Sequence, residues 1–168
     1  FAGILRRDRR AVAASLLVGW SALARGQAVV KANNDRPLAE AASWRQGVAP
    51  GPTGVGAWNN TVTGPTTSQL GGDLDWQGLW VADPAGDVTL TGSGRLTLGA
   101  AGLNTGSLVN LAYRASGTLD LNGPLLGATA LTLDNPTTHD WTGMSRVAFT
   151  GQLRLRGGAA PAGSFSVN

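Results

Sequence analysis

The 168-residue chain has no cysteine, one histidine, one methionine and one tyrosine, and lysine is nearly absent. Without cysteine there is no disulfide framework and no thiolate metal site, whatever the compartment. With His139 the only histidine, a zinc or iron centre is not expected either. No G-x-G-x-x-G or P-loop pattern is present to hold phosphates, so no cofactor is expected. A serine protease would need a nucleophile on a tight G-x-S-x-G-like turn, and Gly106-Ser107 and Gly163-Ser164 lack that frame. His139, beside Trp141, is therefore read as a loop histidine. Long helix-forming stretches are missing after Ala42. Such a chain gains its stability from buried apolar area and backbone ladders, and its length is adequate for one core.

What is present begins with charge. Arg6, Arg7, Arg9 and Arg10 precede an uncharged run from Ala11 to Ala24, followed by Arg25-Gly26-Gln27-Ala28. A positive flank, a short apolar helix and small residues at the −3 and −1 positions are the features export machinery reads. The apolar run is short for a membrane span, which needs about 20 residues. Residues 1–28 are thus expected to be a signal peptide cleaved after Ala28, with a cut after Ala24 satisfying the same rule. This segment holds five arginines against one aspartate, a net +4, so the whole-chain charge of +3 leaves −1 for the remainder. The basic balance belongs to the export signal, and nucleic acid is not expected as a partner.

The remainder is rich in glycine, threonine, asparagine and leucine, an all-β composition with many turns. Residues 29–54 are irregular, with turn signals at Asn33-Asn34-Asp35 and Pro50-Gly51-Pro52. From Val55 to Asn168, short alternating runs predict strands near 55–58, 60–63, 79–82, 87–91, 95–98, 107–111, 117–121, 129–133, 145–149, 152–156 and 164–167. In Leu96-Thr97-Leu98, Leu119-Asp120-Leu121, Leu131-Thr132-Leu133 and Leu153-Arg154-Leu155, period two puts both leucines on one face. The pattern G-x-L-x-L starts at Gly94, recurs at Gly117 and again at Gly151, with a partial copy at Ala130. A unit this short cannot bury its own leucines, but stacked units bury a continuous column. The fold class expected is a right-handed parallel β-helix (β-solenoid); an antiparallel β-sandwich is the competing arrangement.

The segments Lys31-Ala32-Asn33-Asn34, Ser43-Trp44-Arg45-Gln46-Gly47-Val48-Ala49-Pro50 and Ala57-Trp58-Asn59-Asn60-Thr61-Val62-Thr63 resemble the start of bacterial autotransporter-associated β-strand repeat proteins. Leu70-Gly71-Gly72-Asp73-Leu74-Asp75-Trp76-Gln77-Gly78-Leu79 and Asp83-Pro84-Ala85-Gly86-Asp87-Val88-Thr89-Leu90 extend the likeness. Leu96 to Leu103 and Phe149 to Gly158 resemble the repeat itself, so the likeness covers most of residues 31–158. It implies an exported passenger of a Gram-negative-type bacterium, secreted or at the cell surface, structural or adhesive and without catalysis. It also implies an outer-membrane barrel or sorting anchor in a C-terminal part beyond Asn168, the chain being read as an N-terminal fragment.

Two groups of residues remain as site candidates. Asp73 and Asp75 share a face if that segment is extended, although Asp-rich turns are more often solvated corners. Gly71-Gly72-Asp73-Leu74-Asp75 echoes half of a calcium-binding nonapeptide, but such sites stack several copies and here there is one, so no metal site is expected. Trp58, Trp76 and Trp80, exposed beside Asp73 and Asp75, would stack on sugar rings and make the protein a binder or degrader of polysaccharide. Buried with Trp44, they would instead cap the N-terminal end of the solenoid, as terminal units require. Surface polysaccharide, or a host or neighbouring cell surface, is the class of partner these readings share.

Overall fold

The structure, a computed structural model, describes residues 26–163. The expected strand at 164–167 and nearly all of the expected signal segment lie outside the described residues. The rest is a parallel β-solenoid of about five turns. Among the described residues all paired strands run parallel; the one antiparallel contact is an isolated bridge between Lys31 and Trp44. An antiparallel sandwich is thereby excluded.

The strands lie on three faces, which a full turn visits in a fixed order. The first face contains the leading half of β4 (Leu74–Val81), the leading half of β6 (Leu96–Asn104) and β8 (Leu119–Leu121). Here Leu74, Leu96 and Leu119 stack in register, as do Trp76, Leu98 and Leu121. The second face runs through β1 (Gln27–Val30), β2 (Gly54–Trp58), the trailing halves of β4 and β6, β9 (Leu125–Gly127) and β12 (Val147–Phe149). The third comprises β3 (Thr66–Gln69), β5 (Val88–Thr91), β7 (Leu111–Tyr113), β10 (Leu131–Asp134) and β13 (Leu153–Arg156). β11 (Thr138–Asp140) and β14 (Ala160–Ala162) pair with each other beyond β8.

The leucine repeats occupy two of these faces. Leu96-Thr97-Leu98 stacks under Leu119-Asp120-Leu121 on the first, so these two copies of the pattern are one coil apart. Leu153-Arg154-Leu155 instead stacks on Leu131-Thr132-Leu133, on the third face. The irregular spacing seen in sequence thus came from comparing strands of different faces. The strands expected at 60–63 and 107–111 are largely corners: only Leu111 of these lies in a strand. Val62 is buried from a turn and Leu108 is exposed, so an apolar residue there marked no strand. β3 was not foreseen, since Thr66-Thr67-Ser68-Gln69 carries no apolar side chain; it is a strand because β5 supplies its ladder partner.

The bend between the first two faces depends on small residues. β4 shifts register between Trp76 and Gly78, and one coil later Gly102 adopts a φ of 67°. A Cβ at Gly102 would collide with the backbone of Pro124 in the next coil. Gly47 has a similar φ of 68° but open space around it. Gly47→Ala should therefore cost about 1 kcal/mol, from the left-handed backbone alone. Gly102→Ala should cost about 3 kcal/mol or more because overpacking adds to the same strain. Urea melts of both variants check the contrast.

Candidate functional site

The N-terminal end of the solenoid is closed by residues 31–46. Leu38 N–H donates to Gln69 O at 2.8 Å and Ala39 N–H to Leu70 O at 3.0 Å, so this segment lies across the first coil. A short 3-10 turn, Ala41–Ser43, then delivers Trp44 into the interior, where its indole N–H donates to Leu38 O at 2.8 Å. Its ring meets Trp58 at 5.7 Å and Trp76 at 5.4 Å, both edge-to-face, the preferred geometry of aromatic pairs. A Cβ on Gly56 would strike the Trp76 ring, so glycine is needed there to seat it. Lys31 is also buried, and its ammonium donates to Ala32 O, Asn34 O and Asn34 Oδ1 at 3.0, 2.6 and 2.9 Å. These three acceptors tie the cap loop to the end of β1.

This geometry corrects the sugar-stacking assignment of Trp58 and Trp76. Both side chains are 0% exposed and present no face to a ligand. Trp80 differs: it alternates with buried Leu79 and Val81, points outward from the second face and is half-buried. Asp75 points outward from the first face, in register with Thr97 and Asp120, on the other side of the bend. Asp73 does not pair with it, because Asp73 Oδ1 accepts the Arg95 N–H of the next coil at 2.8 Å. The five candidates therefore do not form one groove. Other aspartates hold the chain in similar ways. Asp83 accepts from Asn60 N–H at 3.2 Å, Asp87 from Asn110 N–H at 2.8 Å, and Asp140 from Thr142 N–H at 3.0 Å.

His139 is not in a loop. It lies on β11 with its side chain fully buried, and its Nδ1 accepts the Leu119 N–H at 3.0 Å. The imidazole thus takes an amide that a carbonyl of the next coil would otherwise accept, at the place where the β8 ladder stops. Its proton is then on Nε2, which has no acceptor among the described residues. Tyr113 packs edge-to-face at 5.6 Å and donates its hydroxyl to Thr118 O at 3.1 Å. Burial pushes the His139 pKa below the ordinary 6.5 and the Tyr113 pKa up.

The outer side of the third face carries an arrangement that reading by segment did not find. Period two turns Thr89, Ala112, Thr132 and Arg154 outward in one column, in register across four coils. Arg114, Asp134 and Arg156 project beside them, and Arg114 Nε pairs with Asp134 Oδ2 at 3.1 Å. Because Ala112 has so short a side chain, a hollow of about 180 Å³ opens over it. Asp87 and Asn110 line it beside the starts of the strands, Arg114 and Arg156 line it beside their ends, and Arg154 rises from the column itself. The alternation Leu153-Arg154-Leu155-Arg156 shows two of these arginines on one face, but bringing them beside Arg114 requires the coil register.

Trp58→Ala should lower stability by about 3–5 kcal/mol, the cost of truncating a buried aromatic ring, measured by denaturant melts. The pH dependence follows from His139. Its neutral form is favoured in the fold, so the stability it contributes is complete above pH 6.5 and is lost as pH falls from there through its lowered pKa. The melting temperature should drop between pH 7.5 and 5.5, while His139→Leu, though less stable at pH 7.5, should stay flat over that interval. A wild-type curve equally flat would show that the imidazole does not titrate against the fold. Compared with protein-family models, with curated proteins and with solved structures, the chain matches none of them.

Proposed function

We propose that the chain is an exported β-solenoid passenger, structural or adhesive in role and without catalysis, of the autotransporter-associated type that its segments resemble. The observation that carries this reading is how the polar and aromatic candidates are engaged. Asp73, Asp83 and Asp87 hold corners, three tryptophans fill the capped end, and the interior is packed with side chains. What the molecule offers to its surroundings is a set of extended faces on a stiff stem, each coil adding about 4.8 Å of length.

Export follows from the arginine-flanked apolar segment and its small-residue ends. Of the two cuts that the sequence allows, the one after Ala28 would remove Gln27 and Ala28 from β1, where they pair with Gly54 and Val55. The cut after Ala24 leaves that strand whole, and it is the one proposed. Expressed with its own leader in a Gram-negative host, the chain should be recovered outside the cytoplasm with Arg25 as its first residue. Arg6→Glu/Arg7→Glu should slow that processing. Full-length, unprocessed wild-type protein retained in the cytoplasm would sink the proposal.

A further inference from the structure

We propose that the hollow over Ala112 binds an acidic polysaccharide, with Arg114, Arg154 and Arg156 facing its carboxylates or sulfates and Asp87 and Thr89 meeting its hydroxyls. This gives a ligand class to the adhesive face and rests on the adhesive reading above.

The charge comes first. Three arginines line the hollow, Arg114 just after β7 and Arg154 and Arg156 on β13. Arg114 is neutralised by Asp134, but neither Arg154 nor Arg156 has a carboxylate partner among the described residues. Arg154 donates only to the amide oxygen of Gln152, at 2.8 and 3.3 Å. Guanidinium groups present paired donors that match a carboxylate or sulfate edge; both arginines stand on an exposed strand, and for Arg154 such an edge must replace the Gln152 amide oxygen or use the Nη1 side.

The side formed by Asp87 and Asn110 supplies what a sugar ring needs. Asp87 Oδ1 and Oδ2 receive the Asn110 amide at 3.2 and 3.1 Å, which fixes the carboxylate in place while lone pairs remain to accept hydroxyls. Asn110 Oδ1 in turn accepts the Ala130 N–H at 3.1 Å, so this side is anchored across coils. Thr89 offers a hydroxyl from the adjacent strand. The columns run along the solenoid axis at about 4.8 Å per coil, so an extended polymer laid along them crosses Thr89, Ala112, Thr132 and Arg154 in turn. Nucleic acid fits less well, because no aromatic side chain lines the hollow to stack a base.

The test uses the purified full chain and four probes: polygalacturonate, dextran sulfate, neutral dextran and single-stranded oligo(dT). At least one of the two anionic glycans should bind, with affinity falling as salt rises. Dextran should not bind, and oligo(dT) should bind at least about tenfold more weakly, since it lacks the hydroxyl contacts. Arg154→Gln/Arg156→Gln should weaken glycan binding at least about tenfold, as expected for two lost charge-assisted contacts. Ala112→Phe, which fills the hollow from outside the core, should do the same, and it decides the matter if the arginine variant folds poorly. Arg45→Gln/Arg146→Gln, removing equal charge elsewhere, should bind as wild type. The site is refuted by failure of both anionic glycans to bind, by equal binding of dextran or oligo(dT), or by full affinity in the Ala112→Phe variant. These readings on purified protein are independent of export. A processed, exported chain that binds neither glycan loses this site and keeps the adhesive reading, whereas cytoplasmic retention removes that reading instead.

Discussion

The parallel ladder between successive coils is the constraint on which the remaining features depend. A strand of three or four residues cannot satisfy its own N–H and C=O groups, and an unpaired buried amide costs about as much as a lost hydrogen bond. Each strand therefore has to lie against the strand one coil away, at a register that also superposes the inward side chains. Leu131 lies between Leu111 and Leu153, and Leu96 between Leu74 and Leu119, so the ladder and the leucine column are one arrangement. The coil is free to vary only where it turns. The path from Leu111 to its partner Leu131 is shorter than the path from Gly78 to its partner Gly102, and both close on the same ladder.

The turns absorb that variation and still leave few polar groups idle. Side chains of one coil bond the backbone of a neighbouring coil, as when Asp73 accepts from Arg95 N–H and Thr129 donates to Thr105 O. His139 is the interior version of the same device, an imidazole nitrogen in place of a backbone carbonyl. The end of the stack needs a different solution, since no earlier coil covers the first one. The Lys31-anchored loop supplies it, together with Trp44 set edge-on against Trp58 and Trp76. Trp58, Trp76 and Asp73, which would suit a sugar site in a flat reading of the sequence, thus serve to close the fold. The groups left facing outward, among them Arg154 and Arg156, are the ones with capacity to bind.

Much of the fold was legible because it is local. Alternation in Leu96-Thr97-Leu98 or Leu131-Thr132-Leu133 states which side chains point inward, and the repetition of the pattern implied stacking. Closure of the N-terminal end by tryptophans was legible too, as one of two readings, from the position of Trp44, Trp58 and Trp76 ahead of the repeats. Other features were not. Thr66-Thr67-Ser68-Gln69 has no apolar signature, and its strand exists only through β5. Val62 looked like part of a strand and instead plugs a corner. The outer hollow depends on Ala112 lying between Thr89 and Thr132, each a full coil away along the chain.

The sequence by itself determined the absence of disulfides, the confinement of excess positive charge to the first residues, and the in-or-out sense of each alternating strand. These follow from composition and from the backbone's period of two, which acts over neighbouring residues. Tertiary structure alone decided which strands share a face, that Trp58 and Trp76 are enclosed while Trp80 reaches the surface, that Asp73 turns away from Asp75, and that arginines of two separate coils line a hollow over one alanine. Those outcomes depend on coil length and register, which are set by ladders between residues a whole coil apart, and no local pattern encodes them.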